Sequence, residues 1–214
     1  MKVILMLYFL GGLATGRFLH RQAVRLTGSA SLCRGRWTAL ASGLAFAAAG
    51  RQVPPGPELL PVFVFAACLV FAVTEDLDHL LILDEGLVVL ALSGLLRAAW
   101  QGTFWPHALA GALTGGGLLA LIRWISRGGL GRGDVKFAGA LGFWLGPERM
   151  LLCLGAAFLA GGAAAFVLLC CGRAGRQRVL PFGPFLGGGA WAAFFHGAPL
   201  LSCFYSLLLG GGGR

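Results

Sequence analysis

Residues 131–170 read GRGDVKFAGALGFWLGPERMLLCLGAAFLAGGAAAFVLLC. The stretch holds two apolar runs, 134–146 and 150–171, separated by the turn-forming residues Gly146-Pro147-Glu148-Arg149. Neither run alternates apolar and polar residues as a membrane-embedded strand does, so both are predicted to be helices. Because a lipid environment satisfies no backbone polar group, a helix that bonds internally is the structure such a run adopts in a membrane.

Six further apolar segments extend this pattern along the chain, at residues 3–16, 37–50, 59–74, 87–100, 106–125 and 184–208. The 214 residues are 57% hydrophobic and 12% charged, with a mean hydropathy of +0.81. A soluble domain carries about 25% charged residues, so a water-soluble core is excluded. We therefore predict an all-α, polytopic integral membrane protein with about eight transmembrane helices. Its expected partners include the lipid bilayer, in which these helices would lie.

The net charge of +9 arises from the gaps between the apolar runs. Gaps 17–36, 123–136 and 172–180 hold 12 of the 17 Lys and Arg residues. Clusters of this kind mark cytoplasmic loops, and no stacking aromatic residues accompany them as in nucleic-acid-binding proteins. We expect no nucleic-acid partner. The even number of crossings required between basic gaps predicts eight spans with both termini outside the cytoplasm.

Two aspartates stand at the same edge of this topology. Asp76 ends the third predicted span and Asp134 begins the sixth, both on the cytoplasmic side. Each alone has an ordinary explanation, since Asp76 could flank a helix end and Asp134 could be an N-cap. Together, at equal depth in a membrane where ionisable groups are costly, they predict a functional pair. Paired carboxyls share a proton and activate water as in aspartic proteases, without metal or cofactor.

The other polar groups near this edge receive weaker assignments. Asp78 lies about 200° around the helix from Asp76 and, like Asp84 and Glu85, is expected to be solvated. Lys136 is expected to point away from Asp134 and reach the lipid headgroups. The six cysteines form no C-x-x-C pair and have no His at zinc-ligand spacing, which predicts neither a disulfide framework nor a metal site.

These residues resemble the motifs of the type IV prepilin peptidases, intramembrane aspartic proteases with a G-x-G-D motif. The family pattern G-x-G-D-x-K-x-x-x-x-x-G is similar to residues 131–142, and I-D-L-D-x-x-x-x-L-P-D to residues 75–84, with the last Asp one position early. P-F-G-P-F-L is complete at residues 181–186, and G-S-F-L-N resembles residues 16–20. The chain departs at Glu75, where the family has an apolar residue, and at Leu83, where it has proline.

The resemblance implies a function and a division of roles. Asp76 and Asp134 would be the catalytic pair, and the remaining motif residues would position the substrate: Gly131, Gly133, Lys136, Pro181, Phe182, Gly183 and Pro184. The substrate would be a prepilin or pseudopilin, cut after its basic leader at the cytoplasmic face of the bacterial inner membrane. Residues 1–52 would form an N-terminal two-span segment with a shortened cytoplasmic loop, and residues 53–214 a six-helix peptidase core.

The shortened loop bears on a second activity of the family. Larger members carry two C-x-x-C pairs there, which bind zinc in a module associated with N-methylation, whereas this loop holds only Cys33. The resemblance therefore favours a peptidase without a cofactor, and S-adenosylmethionine would be needed only if methyltransferase activity were retained.

Three readings of the sequence remain open. In the peptidase reading, the acidic residues Asp78, Asp84 and Glu85, together with Glu75, attract the basic leader to an otherwise basic face. The first alternative is a catalytically inactive membrane scaffold of a pilus or type II secretion machine. The second is a proton-coupled transporter, which the absence of an internal sequence repeat disfavours.

Overall fold

The computed structural model describes residues 2–27, 32–102, 105–171 and 180–208. These residues form seven helices and no strand, which confirms the predicted all-α class. The helices are α1 (Lys2–Thr27), α2 (Leu32–Gln52), α3 (Leu59–His79), α4 (Asp84–Trp100), α5 (Trp105–Ile125), α6 (Arg132–Cys170) and α7 (Gly183–Leu208).

The helices present apolar side chains outward, as a membrane protein does. Four of the described helices, α1, α3, α5 and α6, are long and apolar enough to cross a bilayer. Large apolar side chains such as Leu60, Trp124 and Leu159 are 70%, 78% and 77% exposed. The protein is therefore a multi-pass membrane protein, and the count of eight crossings stays a prediction.

Helix α6 is a hairpin of two antiparallel limbs. Asp134, at its start, lies within electrostatic range of Asp76. Phe158, in its second half, packs on Phe182 with ring centroids 5.2 Å apart, and the next residue, Gly183, bonds to Asp76. A straight helix would separate residues 134 and 158 by about 36 Å. Because both lie at the Asp76 end, the chain reverses between them, as the sequence predicts.

The reversal takes place at Gly146. Its backbone angles, φ 69° and ψ 174°, belong to a region that only glycine adopts readily. Pro147 follows and lacks the N–H that a continuing helix would need. The imidazole ring of His107 on α5 occupies the space that a Cβ at Gly146 would need. Any other residue at position 146 would meet both strain and a clash.

Helix α5 packs closely against the first limb of α6 through small residues. A Cβ added at Gly111 would meet the carbonyl oxygen of Gly142 and lie 2.7 Å from Cα of Gly146. Glycine on both helices thus lets the two backbones approach to direct contact, a common arrangement between membrane helices.

Gly111→Ala is expected to destabilise the fold by about 1–3 kcal/mol, because the added methyl group overpacks a rigid backbone contact. The melting temperature of the detergent-solubilised protein measures the effect. Gly117→Ala on the same helix is the matched control, since a Cβ there meets nothing within 4 Å. Equal melting temperatures for the two variants would contradict this account of the α5–α6 contact.

An aromatic cluster ties the helices together at the end opposite Asp76. The Phe65 ring lies 4.7 Å from that of Trp144 and 4.9 Å from that of Phe194, measured between centroids. The guanidinium of Arg97 stands over Trp144 and Phe194, 5.5 and 5.3 Å from their ring centres. Trp144 Nε1 also donates to the Leu90 carbonyl at 2.8 Å. This cluster joins α3, α4, α6 and α7.

The N-terminal helices correct one boundary of the sequence prediction. Gap 17–36 was expected to be a cytoplasmic loop, but α1 continues to Thr27 and α2 begins at Leu32. Arg17, Arg21 and Arg25 are good helix formers at i, i+4 spacing, so the helix continues past its apolar part. Helices α1 and α2 pack on each other and on α3. The division into units 1–52 and 53–214 stays a prediction.

Candidate active site

Asp76 lies in the last turn of α3, with only 5% of its surface exposed. Its Oδ2 accepts a hydrogen bond of 2.6 Å from the backbone N–H of Gly183, the first residue of α7. A Cβ at Gly183 would stand 2.6 Å from that oxygen. Glycine is required there because the α7 backbone approaches the carboxyl group without room for a side chain.

Asp134 lies in the first turn of α6 and is 8% exposed. The N-cap of α6 is Gly131, so Asp134 is the third helical residue and the alternative N-cap assignment is wrong. Its carboxylate turns back to the backbone N–H of Gly131, as the third residue of a capping box does. Its Oδ1 is buried and has no hydrogen-bond partner in the described part of the chain, which leaves that oxygen available to a water or a substrate.

The two carboxyl groups are brought to one site by the helices around them. Asp134 lies within electrostatic range of Asp76, and both α4 and α7 pack against α3 and α6. A like charge nearby disfavours the ionisation of both members of a carboxyl pair at once. An ionised member can activate a water molecule while a protonated member donates, which is the chemistry of peptide hydrolysis.

The other motif residues surround this pair. Gly133 packs on the buried Ile82, whose Cβ would lie 3.2 Å from a Cβ at Gly133. Phe182 packs on Phe158 with the two rings tilted by 36°, and Pro181 and Pro184 are half-buried on either side of Phe182 and Gly183. Of these motif residues, Gly131 contacts the carboxylate of Asp134 and Gly183 that of Asp76, while the substrate-positioning roles of segments 131–136 and 181–184 stay predictions.

The three acidic residues of the predicted leader-binding cluster, Asp78, Asp84 and Glu85, differ in exposure and in pairing. Glu85 is exposed and Asp78 half-buried. Asp84, expected to be solvated, pairs with Lys136, expected to reach the headgroups; their closest atoms, Nζ and Oδ2, are 2.6 Å apart. The sequence could not show this contact because it joins residues 52 positions apart on two helices. Recruitment of a basic leader by Asp78, Asp84 and Glu85 stays a prediction.

Glu75 differs from the solvated position that the sequence suggested. It is 4% exposed, and its Oε2 has no hydrogen-bond partner in residues 2–27, 32–102, 105–171 and 180–208. His79 and Asp78 on the same helix lie within electrostatic range of it. The position is covered by the bundle because it follows Phe71 and Ala72 on the buried face of α3. Glu75 therefore cannot form part of an exposed acidic cluster.

Glu75→Leu is expected to stabilise the protein by about 1–3 kcal/mol, because it removes a buried carboxyl group with an unsatisfied oxygen. Thermal unfolding in detergent measures the change. Glu85→Leu, at an exposed position on the next helix, is the control and should leave the melting temperature nearly unchanged. A lower melting temperature for Glu75→Leu would mean that the carboxyl group has a stabilising partner.

The described residues contain no group of three His, Cys, Asp or Glu side chains that converge as metal ligands do. Cys68 and Cys153 are buried free thiols, and Cys170 and Cys171 are exposed free thiols. The side chains of Cys33 and Cys203 lie outside the described part of the chain. The absence of a metal and of any cofactor stays a prediction.

Fold and site together define a multi-pass helical membrane protein with two buried carboxyl groups, Asp76 and Asp134, within electrostatic range of each other at one end of the bundle. Residues 63–170 match the family described as the type IV leader peptidase family. The chain belongs to that family. No solved structure matches it.

Curated relatives agree with this membership. The chain is 37% identical over 179 residues to the "Prepilin leader peptidase/N-methyltransferase" of Burkholderia pseudomallei (strain 1026b), covering 80% of this chain and 56% of that protein. It is 29% identical over 173 residues to the protein of that name from Bacillus subtilis (strain 168), covering 80% and 69%. It is 38% identical over 143 residues to "Leader peptidase HopD" of Escherichia coli, covering 62% and 90%. The chain thus spans 56% and 69% of the lengths of the two relatives whose names give both leader peptidase and N-methyltransferase.

Proposed function

We propose that this protein is a prepilin peptidase, which removes the basic leader of prepilins or pseudopilins with Asp76 and Asp134 as its catalytic pair. The observation that carries the proposal is the convergence of these two buried carboxyl groups in a chain of the leader peptidase family. The names of its relatives give the substrate class: two act as prepilin leader peptidases and a third as a leader peptidase.

In the proposed mechanism the pair holds one proton. The ionised carboxylate takes a proton from a water molecule, whose oxygen attacks the scissile carbonyl carbon. The protonated carboxyl donates to the carbonyl oxygen, which gives a tetrahedral intermediate with two hydroxyl groups. The carboxyl that took the proton of the water then gives it to the leaving nitrogen as the carbon–nitrogen bond breaks, and the other carboxylate takes a proton back from one of the hydroxyls, so that the pair again holds one proton. The N–H of Gly183 holds Asp76 in place throughout, and Asp134 Oδ1, which has no hydrogen-bond partner among the described residues, would bind the reacting water.

The proposed location is the bacterial inner membrane, with cleavage at the cytoplasmic face and both termini on the other side. The basic residues of segment 123–136 support this orientation, because they lie beside Asp134 at the active end of the bundle. Arg123 bonds through Nη1 to the carbonyl of Leu130, so this segment is folded onto the end of α5. A leader held by the same leaflet would reach the aspartates without crossing the bilayer.

We further propose that the protein cleaves without methylating its product and uses no cofactor. The relative named only as a leader peptidase is covered over 90% of its length, whereas the two named also as N-methyltransferases are covered over 56% and 69%. The loop between the first two helices also carries no C-x-x-C pair.

A single assay tests both parts of the proposal. The purified protein in detergent is incubated with a prepilin and S-adenosylmethionine, and the pilin is analysed by intact-mass spectrometry. We expect the mass of the pilin without its leader, with no added methyl group. An intact prepilin would favour the inactive scaffold, and a methylated product would contradict the second part alone.

A further inference from the structure

An ion pair joins the start of α4 to the first turns of α6, which carry Asp134. Lys136 Nζ lies 2.8 and 2.6 Å from the two carboxylate oxygens of Asp84. Lys136 follows Asp134 by two residues on α6, and Asp84 is the first residue of α4. Both side chains are more than half exposed, at 57% and 63%. Exposed ion pairs contribute little to the free energy of unfolding. The expected effect of this pair is therefore on the position of the α6 backbone relative to α4.

A second contact fixes the same two segments. Ile82, 6% exposed, packs on Gly133, and the short connection from α3 to α4 therefore lies against the start of α6. That connection continues directly from Asp76, since the N–H of Leu80 bonds to the Asp76 carbonyl at 3.0 Å. Leu80 itself has φ 52°, which turns the chain sharply after α3. The segment from Asp76 to Asp84 therefore contacts the start of α6 at two residues, Ile82 and Asp84.

The direction of Lys136 excludes direct participation in the chemistry. Residues two apart on a helix differ by about 200° in direction, so its ammonium group points away from the Asp134 carboxyl. Any effect of Lys136 on catalysis passes through the α6 backbone. Reacting groups misplaced by about 1 Å can lose about a hundredfold in rate, which makes a contact this close to Asp134 consequential.

We propose that Asp84 and Lys136 are positioning residues, whose ion pair holds the start of α6 against the α3–α4 connection and thereby sets the separation of Asp76 and Asp134. The expected effect on kcat rests on the proposed function. The expected effect on the separation of Asp76 and Asp134 does not depend on any substrate. It also gives Asp84 a role different from attracting a basic leader.

Charge reversal tests the kinetic consequence. Asp84→Lys and Lys136→Asp should each lower kcat for leader removal roughly tenfold while KM stays within about twofold, because the reacting geometry is changed. The double variant Asp84→Lys/Lys136→Asp restores the pair in the opposite sense and should recover most of kcat. Glu148→Lys introduces the same charge change at an exposed carboxylate at the other end of the bundle and should keep the wild-type kcat.

Three kinetic results would overturn the proposal: single variants with the wild-type kcat, a double variant no better than the singles, or a salt-dependent rise in KM confined to Asp84→Lys. The last result would instead assign Asp84 to leader binding. Melting temperatures of all variants identify loss of activity through unfolding.

Cross-linking tests the geometric consequence without any substrate. In a chain with the six native cysteines replaced by alanine, Asp76→Cys and Asp134→Cys are joined by a short bifunctional thiol reagent. The yield should fall severalfold when Lys136→Asp is added and recover when Asp84→Lys is added to that. An unchanged yield would reject the positioning role even in an active enzyme. A responsive yield in a protein that cleaves no prepilin would reject the proposed function and keep the positioning role.

Discussion

Asp76→Asn is expected to reduce leader removal by at least about a thousandfold, and Asp134→Asn is expected to do the same. An amide can neither take the proton of a water molecule nor pass on a shared one, and general acid–base catalysis contributes about 10²- to 10⁴-fold. Because one proton moves between the two carboxyl groups, each is needed and the effects should not add. Initial rates of prepilin cleavage in detergent measure the loss.

The matched control is Glu148→Gln, which makes the same carboxyl-to-amide change at the exposed Glu148 beside the α6 reversal, at the other end of the bundle. It should keep the wild-type rate. Substrate binding should survive in all three variants, because the amide preserves the shape of the side chain. Cleavage above about a tenth of the wild-type rate in either aspartate variant would remove that residue from the catalytic pair.

Gly183→Ala is expected to lower kcat by about ten- to a hundredfold with a smaller change in KM. The new methyl carbon would lie 2.6 Å from Asp76 Oδ2 and 2.9 Å from both Cβ and Cγ of the same residue. Either α7 moves back and its N–H loses the carboxylate, or Asp76 turns away from Asp134. Both outcomes disturb the geometry of the reacting groups, and steady-state kinetics with a prepilin separates kcat from KM.

Gly188→Ala supplies the comparison, since it places a methyl group on the same helix with nothing within 4 Å. Its kinetics should equal those of the wild type, and its helix should be slightly favoured by alanine. If Gly183→Ala and Gly188→Ala behave alike, the contact between α7 and Asp76 has no part in catalysis.

Local pattern was sufficient to predict several features of this fold. The apolar runs indicated every helix, and Gly146-Pro147 indicated the reversal inside 134–171, because glycine and proline act on the backbone at their own positions. The location of Asp76 and Asp134 at the same end of the bundle agrees with the equal depth expected from the predicted crossings, while their catalytic pairing stays a prediction. Helix ends were less well predicted, since arginine-rich segments such as 17–25 remain helical beyond the apolar run 3–16.

Contacts between distant helices were not predictable from the same patterns. The bond from the Gly183 N–H to Asp76 and the pair between Asp84 and Lys136 depend on how each helix is rotated about its axis. Periodicity gives that rotation only coarsely for helices that are apolar on every face. Glu75 was misplaced for this reason, as its charge suggested water while its position on α3 faces the bundle.

The hairpin form of α6 has a consequence for how the enzyme matures during synthesis. Both aspartates are present once synthesis has reached residue 134. At that stage Asp76 still lacks the hydrogen bond from the backbone N–H of Gly183 in α7. The second limb of α6 must first fold back beside the first, and only then does Gly183 arrive. The proposed catalytic pair therefore gains its contact with α7 only after nearly all the helices have been made, so a prematurely terminated product contains both acidic residues but lacks the backbone amide that binds Asp76.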